Sequence, residues 1–239
     1  MQKLIVSFLL VAGLYTAVGA QTTIQDSQAE KRDVGSFHGI EVSTGIQLLL
    51  THGNSEDVAV SAAEPDYRDK IVTKVEKGIL KIYYDSKLGA INRRHEDKRL
   101  KAYVSYKMLD VLRVNTGAEV KIDGQLSTNY LDLDASTGAE IYGQINIGTL
   151  KLNQSTGSKI TFSGKAEKLE ADGDTGSKFL GEDLEVSTCS VEVSTGAGIY
   201  ITVQKDLSVK ASTGGYVKYK GTAGIKTIKA NTGGFVTRI

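Results

Sequence analysis

From Arg32 onward, apolar side chains fall at alternate positions within short runs, and no segment carries them at helical spacing. Ile40, Val42 and Leu48 form the first such set. Val58 and Val60, then Ile79, Ile82 and Tyr84, form the next. This period of two is that of strands with one buried face. It predicts an all-β chain with helix nearly absent.

The alternation is itself repeated. Thr-Gly stands at Thr44-Gly45, Thr116-Gly117, Thr137-Gly138, Thr156-Gly157, Thr175-Gly176, Thr195-Gly196, Thr213-Gly214 and Thr232-Gly233, with steps from Thr116 of 21, 19, 19, 20, 18 and 19 residues. Four residues before the Thr stand Leu112, Leu133, Leu152, Ala171, Val191, Val209 and Ile228. Four after it stand Val120, Ile141, Ile160, Phe179, Ile199, Val217 and Val236. Those columns are predicted to face inward and the residues between them outward. Two short strands per repeat, with a second turn near Gly124, Gly143, Gly164, Gly181 and Gly221, leave no room for a crossover helix. Each repeat is therefore predicted as one coil, of about 19 residues, in a single-stranded, right-handed, parallel β-helix-like solenoid.

The ends of the pattern set the domain organisation. Lys3, an apolar run from Leu4 to Val18 and the small residues Val18-Gly19-Ala20 read as a cleavable secretory signal over residues 1–20. No Cys follows it to carry a lipid, and no second apolar run is long enough to span a bilayer. Residues 21–31 are polar and are expected to form a flexible tail, with the solenoid over 32–239, a charged irregular loop at 85–99 and regular Thr-Gly coils from 109 to 239. The expected destination is outside the cytoplasm: periplasm, cell surface or medium.

Composition narrows the function. The chain has 29 basic and 28 acidic residues. Residues 1–20 contain only Lys3 among them, so the remainder carries 28 of each, a balance that argues against a nucleic-acid footprint. Cys189 is the only cysteine, so disulfides do not hold the fold, and its column is otherwise Leu (Leu131, Leu150, Leu169, Leu207), which predicts a buried thiol.

The opening Arg32, Phe37, Ile40 and Val42, spaced as Arg-x-x-x-x-Phe-x-x-Ile-x-Val behind a signal peptide, together with the serial Ser/Asn-Thr-Gly-Ala/Ser/Gly corners, resembles the auto-transporter adhesins of the head GIN domain family. The resemblance covers the whole mature chain, although most members carry Ser-Gly at the corner where this chain has Thr. It implies an exported β-solenoid protein of the Bacteroidota with an adhesin-like role.

Several surfaces are candidates for chemistry. The Thr column, preceded by Asn115, Ser136, Ser155, Asp174, Ser194, Ser212 and Asn231, could be a hydroxyl ladder for a ligand, or its side chains could satisfy the turn backbone. The outward column Arg113, Asp134, Asn153, Asp172, Glu192, Lys210, Lys229 mixes both signs as a solvated sheet face does; within that region Asp172, Asp174 and Glu192 are weak candidates for a hard cation. Tyr216 and Phe235 stand outward on adjacent coils with Tyr219 nearby. They could form a sugar or partner platform, or cover the last coil. Arg93, Arg94 and His95 in the charged loop could meet an anionic polysaccharide. No cofactor and no catalytic constellation are indicated. The expected role is non-enzymatic binding of glycan or protein at the cell envelope. The alternatives are a polysaccharide-active enzyme of parallel β-helix type and a structural periplasmic spacer that self-associates through the solenoid ends.

Overall fold

The computed structural model describes residues 26–87 and 97–239. The signal segment and most of the charged loop, including Arg93, Arg94 and His95, lie outside the described residues. The strands are β1 (Glu30–Arg32), β2 (Gly39–Val42), β3 (Gln47–His52), β4 (Asp57–Ser61), β5 (Ile71–Glu76), β6 (Ile79–Tyr84), β7 (Lys101–Tyr106), β8 (Val111–Val114), β9 (Glu119–Ala135), β10 (Glu140–Gln154), β11 (Lys159–Gly173), β12 (Lys178–Val193), β13 (Gly198–Ala211), β14 (Tyr216–Lys220), β15 (Gly224–Ala230) and β16 (Phe235–Arg238). The single helix among the described residues is one turn, α1 (Pro65–Arg68).

From β8 onward the chain is the expected all-β parallel solenoid, each coil pairing in parallel with the next. The coils are less segmented than the glycine spacing suggested. The β10–β11 ladder runs without a break from Glu140↔Lys159 to Gln154↔Gly173, through both Gly143 and Gly164. The glycines bend a continuous strand rather than end it.

Every corner is the same two-residue turn. The corner Thr has φ between 46° and 60° and the following Gly between 68° and 76°. The Ala139 N–H donates to the Ser136 carbonyl at 3.1 Å, and the equivalent bond recurs in the neighbouring coils. Positive φ at both central positions defines a type I′ turn, for which Asn-Gly is the unstrained choice. A β-branched Thr there is strained. The turn backbone is bonded mainly to backbone, since the corner Gly N–H groups from Gly45 to Gly214 also donate to the Thr carbonyl of the next coil (Gly138 to Thr156, 3.0 Å), while the Thr175 N–H bonds the Asp174 carboxylate. The Thr hydroxyls instead reach neighbouring side chains, as Thr116 does to Asn115 at 3.0 Å. Side chains satisfy corner backbone groups locally, as at Asp174, and the remaining turn bonds run from backbone to backbone.

The inward columns are as the alternation predicts. Leu112, Leu133, Leu152, Ile160, Phe179, Ile199 and Val217 are all fully buried. So is Cys189, and burial pushes its thiol up to about 12, which leaves no thiolate for nucleophilic work at neutral pH. Gln154, Ser158 and Ser177 are the polar exceptions in these coils; Gln154 lies beside Gly173, with no partner for either amide atom among the described residues.

The first third departs from simple succession. β2 lies between β6 and β8, and β3 between β7 and β9, so the Thr44 coil sits inside the rod while residues 57–106 turn back to form its N-terminal end. There β4 pairs antiparallel with β7, β1 with β4, and β5 with β6. Short antiparallel strands and α1 close an edge that parallel stacking would leave open. The polar stretch expected to be a flexible tail contributes to this closure from Asp26 on: Ser61 and Tyr103 both donate to the Asp26 carboxylate at 2.7 Å, and Glu30–Arg32 forms β1.

Candidate functional site

Side chains three residues before each corner Thr stack on the outer face in strand register. The column runs Lys81, Glu41, Arg113, Asp134, Asn153, Asp172, Glu192, Lys210, Lys229. Beside it, one residue before the Thr, stand Ser136, Ser155, Asp174, Ser194, Ser212 and Asn231. The two columns face a common space. From Asp134 to Lys229 the result is an open groove of about 740 Å³ across six coils. A coil step of about 4.8 Å repeats the same pair of hydrogen-bonding positions along its length.

Most of the charges in this groove are engaged with each other. Arg113 Nε donates to Asp134 at 3.2 Å, and Asn153 donates to the other Asp134 oxygen at 2.8 Å. Lys210 pairs with Glu192. Ser194 donates to Asp174 at 2.9 Å, and bonds from Thr195 and Ser194 hold the Asp174 carboxyl below the usual carboxylate range. Asp172 differs: burial, then the neighbouring Glu192 carboxylate, push it up, and Lys151 and Lys210 only partly oppose this.

The three acids singled out from the sequence all line the groove, but they do not converge. Each points to a separate partner or to none, and no group of three or more His, Cys, Asp or Glu among the described residues is arranged to hold a metal ion. Asp134, Asn153, Lys210 and Lys229, whose mixed signs in the sequence fit a solvated sheet face, line the same concavity, which the order of residues in a column does not reveal.

The aromatic candidates lie on the other side of the corner ridge. Tyr216 and Phe235 stack at 5.4 Å with planes 9° apart, and Tyr200 meets Tyr216 edge-on at 5.9 Å. The Tyr216 ring lies flat over Gly198, where a Cβ would come within 2.3 Å of it. Both of its faces are therefore covered, and only the outer face of Phe235 remains open. Tyr219 is not part of this surface: it follows Ile201 in an inward column and packs against the core. At the same end, Ile228 is 43% and Phe235 46% exposed, whereas Val209, one coil earlier in the column of Ile228, is 1% exposed. No helix of the described residues is long and apolar enough to cross a membrane.

The chain is thus a parallel β-solenoid with a closed N-terminal end and a repetitive polar groove along one face. The chain belongs to the family described as "Putative auto-transporter adhesin, head GIN domain", whose model matches residues 36–223. Among solved structures it is similar to a "putative adhesin" from Bacteroides fragilis NCTC 9343 (TM-score 0.77, 18% identity, 88% of this chain and 96% of that one). It is also similar to a "putative adhesin" from Parabacteroides merdae ATCC 43184 (TM-score 0.68, 12% identity, 88% and 95%). A third, from Parabacteroides distasonis ATCC 8503, is described as a "putative lipid binding protein" (TM-score 0.61, 15% identity, 90% and 98%). At these identities the likeness is one of fold. The search of curated proteins returned no match.

Proposed function

We propose that the chain is an exported adhesin-like protein of the cell envelope that binds an extended glycan along the groove, without turning it over. The observation that carries this reading is the repetition across six coils of paired hydroxyl, amide and carboxylate side chains in one concave track. A linear polymer of sugars presents hydroxyls at a comparable repeat and can meet the same pair of groups coil after coil. Family membership supports the adhesin-like role, and the signal segment supports export.

The test is an array of bacterial and host glycans probed with residues 21–239. Binding is expected to survive chelator and to survive Tyr216→Ala with Phe235→Ala. It is expected to weaken about tenfold or more when Asp134 and Asn153 are both changed to Ala, as loss of charge-assisted hydrogen bonds requires. Loss with the aromatic pair and not the groove pair would move the site across the corner ridge. Loss with chelator would revive a metal at the acids.

The uncovered apolar side chains of the last coil favour a second reading, end-to-end self-association. It predicts a mass that rises with concentration in sedimentation and falls back to monomer on Phe235→Glu with Ile228→Lys. A monomer at every concentration sinks it.

A further inference from the structure

Neighbouring charges in the groove neutralise each other in the sequence Arg113–Asp134–Asn153 and Glu192–Lys210. Two members of the column are left over. Asp172 accepts no hydrogen bond and forms no ion pair among the described residues, although it stands between Asn153 and Glu192 in register. Lys229 has no acidic partner either, and its register neighbour is Lys210. The nearby Lys226 is used by Asp206 at 3.3 Å and Lys220 by Glu182 at 3.3 Å. A solvated face arranged only to avoid repulsion would not set Lys229 beside Lys210, nor Asp172 beside Glu192, since like charges directly opposite are destabilising. Both residues line the groove, three coils apart, a separation of about 14 Å at the usual strand spacing.

We propose that Asp172 and Lys229 are the two ligand-reading charges of the groove and that they select an acidic glycan in one direction, Asp172 accepting sugar hydroxyls and Lys229 holding a carboxylate or sulfate further along the same chain. This rests on the glycan reading of the groove and specifies its ligand. The chemistry fits each group. An ionised carboxylate offers two charged acceptor oxygens to adjacent hydroxyls, where an Asn offers one uncharged oxygen. An unpaired ammonium is a point charge suited to an anion of variable geometry. Spaced along a polar track, one acceptor and one cation fix which end of the polymer lies toward the C-terminal coil.

The measurement is calorimetric titration of residues 21–239 with fragments of polygalacturonate, alginate and hyaluronan long enough to span the groove, each beside its carboxyl-reduced neutral form. Wild type is expected to prefer the acidic form. Lys229→Met should remove that preference, weakening the acidic form far more than the neutral one. Asp172→Asn should weaken both forms about tenfold or more, the loss of a charge-assisted hydrogen bond. Unfolding does not account for that loss, because Asp172 titrates above its ordinary value in the fold. Its ionised form therefore opposes folding at neutral pH, and this opposition fades as pH falls through the folded value. The Asn variant should melt no lower than wild type at pH 7, with the difference closing on acidification. If fragments bind and neither substitution changes their affinity, the glycan reading stands and this assignment is overturned. If no fragment binds but the broader array shows other glycans that do, an acidic ligand is wrong. If nothing binds anywhere, the reading and the assignment fall together.

Discussion

Gly164→Ala is expected to destabilise the protein by about 4 kcal/mol or more, while Gly157→Ala seven residues earlier costs only about 1–2 kcal/mol. Both glycines have positive φ, 106° and 68°, so both substitutions strain the backbone. They differ in surroundings. A Cβ on Gly157 meets nothing within 4 Å, whereas one on Gly164 lands 2.2 Å from the carbonyl oxygen of Ile145 on the adjacent coil. Ile145 and Gly164 are register partners in the β10–β11 ladder, so the added methyl group is driven between two hydrogen-bonded backbones. Neither side can yield by rotating a side chain. Each coil of a solenoid is stabilised largely through its neighbours, so a fault at one interface divides the rod. Urea unfolding of Gly164→Ala should show two transitions or a much earlier one, where Gly157→Ala keeps one. Equal midpoints for the two variants would mean that the coils tolerate this separation and that the close approach at Gly164 is incidental.

The same contrast explains what could be read from the sequence. The Thr-Gly period and the inward columns were legible because each is a local constraint: a turn that needs positive φ, and a strand whose two faces meet different solvents. Leu133, Ile160 and Val217 are buried for that reason. Direction of pairing is not local. Alternation in Val58–Val60 or Ile79–Tyr84 says that a strand exists, not that it folds back to lie outside the Thr44 coil. Asp26 illustrates the point, since two of its partners, Ser61 and Tyr103, are 35 and 77 residues away. Tyr219 is near Tyr216 and Phe235 in sequence, but it lies three residues beyond Tyr216, where the alternation puts it inside. The groove was half legible. Its residues stand in two columns of the sequence repeat, but a column gives order along the rod and not curvature across it. Only the folded shape of the coils makes Asp172 and Asp174 line a concavity instead of a flat face.

Phe179→Ala should cost at the upper end of the range for a buried aromatic, roughly 3–5 kcal/mol, because the cavity cannot collapse. Phe179 is fully buried and meets Phe162 edge-to-face at 6.2 Å. Its ring also occupies the space over Gly181 on its own strand, where a Cβ would come within 2.5 Å of it. Truncation therefore opens a void bounded on one side by a residue with no side chain to move into it. The flanking members of the inward column, Ile160 and Ile199, are held by strand pairing on both sides and cannot shift inward without breaking register. Relaxation is the usual means by which such sites soften a large-to-small change, and here the ladder forbids it. Phe179→Leu keeps most of the volume and should lose less than about 1.5 kcal/mol. Denaturant midpoints measured for both variants, with slopes compared to wild type, check the argument. If Ala and Leu are destabilised alike, the ring is not filling the space over Gly181; if Ala loses well under 3 kcal/mol, the coils move together more freely than the pairing of Phe179 with Ile160 and Ile199 implies.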